Sequence, residues 1–161
     1  MPAATGLTVN LQAGGATFNS GANGITIASV LGGTGGLTKT GLGTLTLTNV
    51  NTYSGATIIS AGELVGATVG SCANSAVTVA SAATNGVQVL AANGQWTCGA
   101  LTYSAGTPYA DFNFNGLAPS TTTAPLQVSG ALSFSGTPTL LLRNLGAVVV
   151  LGAKPLKLKS A

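Results

Sequence analysis

The sequence predicts an all-β chain coiled into a single β-solenoid domain over residues 1–161, and three observations carry that expectation. Apolar and small polar residues alternate with period two in short stretches bounded by Gly, Asn or Ser, with no helical periodicity between them. Aromatic residues make up only 5% of the chain, too few for the bulky core of a β-sandwich, and the inward positions fall to Leu, Val, Ile and Ala. Charged residues are 4% against 24 Gly, so Thr, Ser and Asn must solvate the faces while Gly turns the corners. A solenoid coil has a thin interior, filled by medium-sized aliphatic side chains stacked on their counterparts one rung away. At about 20–25 residues per coil, the chain makes roughly seven rungs.

Taken in order, strands are expected near 6–11, 24–29, 36–40, 44–49, 56–60, 63–66, 76–81, 87–91, 100–104, 111–115, 125–129, 131–135, 139–143, 148–152 and 155–159. In TLTLT the side chains of Leu45 and Leu47 share one face while Thr44, Thr46 and Thr48 share the other, which sets the leucines inward. NVNTYSG then supplies Asn and Gly for a corner. Four Asn-Gly pairs, beginning at Asn23, Asn85, Asn93 and Asn115, are expected to mark tight bends that need positive φ.

Several function classes are excluded by composition. The longest apolar run, LGAVVVLGA at 145–153, is far short of the roughly 20 residues of a membrane-spanning helix. The first residues lack a basic segment followed by an apolar one, so no signal peptide is expected. The net charge of +3 comes from Lys39, Arg143, Lys154, Lys157 and Lys159 against Glu63 and Asp111, too few basic groups for a nucleic-acid partner. Acid–base or glycosidic chemistry calls for His or a pair of neighbouring carboxylates. The chain has no His, and its two acids are far apart in sequence. Glu63 is expected at a solvated strand position and Asp111 as an outward or capping carboxylate. The Gly-rich run LGGTGGLTKTG lacks the Gly-Lys-Ser/Thr ending and the following helix of a phosphate loop. Tyr53, Trp96 and Tyr103 are expected to pack rather than to stack on sugars. Neither catalytic residues nor metal or cofactor ligands are expected.

The stretch GTGGLTKTGLGTLTLTNVNTYSGATIISAGELVG, residues 33–66, resembles the autotransporter-associated β-strand repeat of bacterial surface proteins. The G-G-L-T-K-x-G-x-G-T-L-T-L-T lead, the N-T-Y-S-G bend and the A-G-x-L return all appear in order. In weaker form GATFNSGANGITIAS, residues 15–29, is similar to the segment that precedes such a repeat, and the stretch from about 121 to 161 to the closing region that follows. The resemblance implies a right-handed parallel β-helix, secreted or held at the bacterial cell surface, acting as a stalk, fibre or adhesin segment without a cofactor.

In a secreted chain Cys72 and Cys98, about one coil apart, are expected to pair as a disulfide. Adjacent rungs lie about 4.8 Å apart, inside the Cα window of about 4.4–6.8 Å that a disulfide needs. The alternative is two buried free thiols. End-to-end self-association into oligomers or filaments is expected from GLTVNLQAGG, which carries no charge to guard an open rung. Surface glycans are the other partner considered. A carbohydrate-binding or carbohydrate-degrading β-helix and an ice-binding solenoid, the latter suggested by Thr44, Thr46 and Thr48, are the competing readings.

Overall fold

A computed structural model describes residues 8–146 of the chain. Among them are seventeen short strands, every pairing between them is parallel, and no helix interrupts them. The strands stack on three faces. One six-stranded sheet contains β2 (Ala16–Asn19), β5 (Leu37–Thr40), β7 (Thr57–Ile59), β10 (Val77–Val79), β13 (Leu101–Tyr103) and β16 (Leu132–Phe134). A second contains β3 (Ile25–Ile27), β6 (Thr44–Leu47), β8 (Glu63–Ala67), β11 (Thr84–Gln88), β14 (Tyr109–Asn113) and β17 (Thr139–Arg143). The third face is split into β1 (Thr8–Leu11) with β4 (Val30–Gly33), and β9 (Ser71–Cys72), β12 (Trp96–Cys98) and β15 (Leu126–Val128). The chain is a parallel β-solenoid.

Among the described residues the six strands of each long sheet make six rungs, where the sequence suggests roughly seven over the whole chain. Coil length is not constant. Thr44 meets Glu63 19 residues on, Asn115 meets Val89 across 26, and Thr97 meets Gln127 across 30, so later coils use more chain per turn. The strands expected at 148–152 and 155–159 lie outside the described residues.

Period-two alternation becomes stacked columns. Leu37, Thr57, Val77, Leu101 and Leu132 are register partners in successive rungs, and beside them run Lys39, Ile59, Val79, Tyr103 and Phe134. Across the interior Leu45, Leu64, Asn85, Ala110 and Leu140 form a column next to Leu47, Gly66, Val87, Phe112 and Leu142. Gly66 is a necessary gap in the last of these, because a Cβ there would overlap the indole of Trp96, which is 1% exposed. Successive corners turn at Gly41 and Gly62, both at positive φ (76° and 65°), a conformation that costs Gly nothing and a β-branched residue a great deal. Where no named strand lies between β4 and β9, a few backbone bonds carry the pairing and the Asn51 side chain adds to them. Its Oδ1 accepts the Leu31 amide at 2.9 Å, and its Nδ2 donates to the Asn49 carbonyl at 2.8 Å and the Ser71 carbonyl at 3.1 Å.

The Asn-Gly expectation needs correction. Asn115 and Gly116 do adopt positive φ (49° and 78°). Asn23 and Asn93 sit in turns without it, and Asn85-Gly86 lies inside β11, with Asn85 buried in the core column. A dipeptide preference for turns is overridden when neighbours on both sides offer strand pairing, as β8 and β14 do here.

Candidate functional site

Glu63 and Asp111 are the only acids of the chain and Arg143 its only arginine, and the fold brings all three together on the outer face of the second long sheet. Glu63 opens β8, Asp111 is central in β14 and Arg143 ends β17, so the cluster crosses four consecutive rungs. The rung between Glu63 and Asp111 contributes Gly86, the outward register partner of both Val65 and Asp111. A Cβ at Gly86 would stand 2.6 Å from Glu63 Oε1, so the missing side chain is what lets the glutamate lie along the face toward Asp111.

Arg143 closes the cluster from the next rung. Its Nε donates to Asp111 Oδ1 at 2.8 Å, one terminal nitrogen pairs with Asp111 Oδ2, and the same nitrogen stands 3.8 Å from Glu63 Oε1. Thr44 Oγ1 donates to Glu63 Oε2 at 3.2 Å from the rung below. Asp111 is buried, and the Glu63 side chain is 20% exposed. Around them lies a groove of about 180 Å³ whose walls include Thr46, Gln88 and Asn113. Burial, and after it the charge of Asp111, push the Glu63 carboxyl above its ordinary range; Thr44 and Arg143 pull it partly back.

These positions correct the expectation that Glu63 is solvated; Asp111 does point outward as expected, but it is buried beneath Arg143. Thr44, Glu63 and Asp111 were readable as strand residues, but their meeting depends on register over coils of unequal length. The arrangement is poorly suited to glycoside cleavage. Such enzymes keep one carboxyl free to give a proton and the other free to attack or to activate water, whereas both Asp111 oxygens are taken by Arg143.

A residue the sequence reading missed is Lys39. It is fully buried, and its Nζ donates to the carbonyls of Thr40 at 2.8 Å, Gly41 at 2.8 Å and Ala61 at 3.1 Å. Burial lowers its pKa, and the negative charge of Glu63 opposes that shift. The signal was present in the sequence: Lys39 shares the inward parity of Leu37 in LTKT.

Cys72 and Cys98 are register partners on β9 and β12, each 1% exposed, with no bond joining them in this structure. Burial raises both pKa values, that of Cys98 to about 11. Trp96 and Tyr103 are buried packing residues, as is Tyr53. The Tyr53 hydroxyl bonds Thr57 Oγ1 at 2.6 Å, and Thr57 in turn bonds Ser75 Oγ at 2.8 Å, forming a polar thread inside the core. The outward rank through Thr46 continues as Val65, Gly86, Asp111 and Leu141, which is no array of hydroxyls. A longer rank, Thr17, Thr38, Ile58, Thr78, Thr102 and Ser133, runs up the first long sheet and is interrupted by Ile58.

The repeat family described as passenger-associated-transport-repeat matches residues 37–65, the span from β5 to within β8. The chain is also 33% identical over 162 aligned positions to the adhesin BmaC autotransporter of Brucella suis biovar 1 (strain 1330). That alignment takes in 92% of this chain and 5% of the adhesin, so the chain spans a small fraction of that relative's length. No solved structure matches.

Proposed function

Because this chain carries an autotransporter passenger repeat and is a secreted, cell-surface protein, we propose that it serves as a rigid stalk or adhesin segment whose terminal rungs associate end to end. The observation that carries this reading is the in-register run of six parallel rungs on two faces. Each rung presents hydrogen-bonding edges and apolar columns to the next, so length is gained by repetition. Support for association is the repetition itself: any rung edge left uncovered offers to a second copy the same backbone donors and acceptors that it offers to its own neighbour.

Analytical ultracentrifugation and negative-stain microscopy across protein concentration test the association. Oligomers or filaments growing with concentration, and favoured by raised salt that screens the net positive charge, are expected. A chain that stays monomeric at high concentration, in high salt as in low, would contradict end-to-end stacking and leave a stalk segment. The reading is structural rather than enzymatic, supported by an Asp111 carboxylate already engaged at both oxygens by Arg143. For an adhesive role a surface glycan is the partner class considered, supported by the neutral hydrogen-bonding groups of Thr46, Gln88 and Asn113 in the groove. A glycan array without a hit would remove that partner and leave the stalk.

The secreted location also supports an inter-rung disulfide between Cys72 and Cys98. Their burial argues that it forms while the chain is still unfolded, by exchange with a disulfide-donating oxidant that takes up the two electrons. Peptide mass spectrometry of secreted protein, unfolded in the presence of excess alkylating agent, should find the linked peptide. Two freely alkylated thiols would contradict it.

A further inference from the structure

We propose that Glu63 carries a proton at Oε1, beside Asp111 and under the guanidinium of Arg143, and that this makes the groove a proton-operated latch fastening β17 to β14 and β8. The geometry begins with an orphan. Glu63 Oε1 is buried without a hydrogen-bond partner, although the other Glu63 oxygen accepts from Thr44 and both Asp111 oxygens accept from Arg143. A buried carboxylate oxygen left unpaired costs free energy that a proton removes. Protonated at Oε1, Glu63 becomes a donor, and the neighbouring acceptor is Asp111, whose Oδ2 shares the Arg143 terminal nitrogen that stands 3.8 Å from Oε1.

Charge points the same way. With both acids ionised the cluster has two negative charges against one guanidinium; with one proton it is neutral and every oxygen has a partner. The charged or titratable groups that face Glu63 are Asp111 from β14, Arg143 from β17, and Lys39 of β5 through the wall. Lys39 is held on the inner side by three carbonyls and stays there. The strand between, β11, faces the pair with Gly86, which carries no group at all.

The direction of the response follows. The folded-state value of Glu63 lies above the 4.5 of the unfolded chain. Its contribution to stability is therefore fully present below 4.5 and is lost as pH rises through the folded value. Mild acid tightens the joint between the last described rungs, and alkali loosens it.

The chain has one Glu and one Asp, so protein labelled with carbon-13 at those side-chain carboxyls gives one resonance for each and needs no further assignment. In the titration of the full chain, Glu63 is expected to turn above 4.5, with an echo at the same pH in the Asp111 resonance. Hydrogen exchange of the β17 amides, corrected for intrinsic rates, should slow as pH falls through that midpoint, by up to about tenfold for each unit by which the midpoint is raised. Glu63→Gln, which keeps the shape and a donor, should abolish both the Asp111 echo and the pH dependence of β17 while the chain stays folded. Arg143→Gln, at a half-exposed residue, should move the Glu63 midpoint further up. A Glu63 midpoint at or below 4.5 without an echo in Asp111, or β17 protection equal on both sides of the midpoint, would overturn the latch.

Discussion

At the scale of single residues, a chain almost without charge makes each charged or missing side chain count. Lys39 occupies an inward position that its neighbours fill with Leu37 and Ile59, and it is stable there because three corner carbonyls surround its ammonium. Lys39→Met keeps the apolar stem and removes the donor. We expect a loss of about 2–4 kcal/mol in urea unfolding, since buried acceptors lose a charged partner. Gly66→Ala is expected to cost about 1–3 kcal/mol, because its methyl must displace the buried Trp96 ring. Wild-type stability in either variant would contradict the packing described. Leu45 and Leu47 were legible from alternation alone, and so was the inward parity of Lys39. Trp96 against Gly66 was not, because it depends on which coils are neighbours and by how much each is offset.

Among the strands, the alternating segments β5, β6, β13 and β16 fall where the sequence sets them. β2, β4, β9 and β12 do not announce themselves. VLGG in β4 ends in two glycines and SC in β9 is two residues long, so their pairing comes from the rungs on either side rather than from their own preference. The same dependence hid the meeting of Glu63, Asp111 and Arg143. Each sits in a recognisable strand, but the coils joining those strands grow from about 20 to about 30 residues, and no repeat of fixed length aligns them. Asn51 supplements the sparse backbone pairing between β4 and β9. Asn51→Ala should therefore cost about 1–3 kcal/mol, with the amide of Leu31 left without its acceptor. Faster hydrogen exchange at Leu31 checks this, and unchanged exchange there would contradict it. If the Cys72–Cys98 bond forms, its reduction should lower stability by about 3 kcal/mol on the chain-entropy account. An unchanged melting temperature after verified reduction would argue that the bond adds nothing to the rung joint.

For the molecule as a whole, the central claim is that rungs stack in register along one axis, which is what turns a passenger repeat into a rod. The outward positions Thr17, Thr78, Thr102 and Ser133 belong to one rank on the first long sheet, separated from Thr17 by three, four and five rungs. Spin labels at Thr17 and at each of the others in turn, with the buried native thiols left unlabelled, read that axis directly by pulsed electron spin resonance. At about 4.8 Å per rung, the backbone separations should be about 14, 19 and 24 Å, so the label distances should rise linearly along the series. Distances that fail to rise with rung number, as they would if the strands were divided between two packed antiparallel sheets, would contradict the solenoid and the rod built on it.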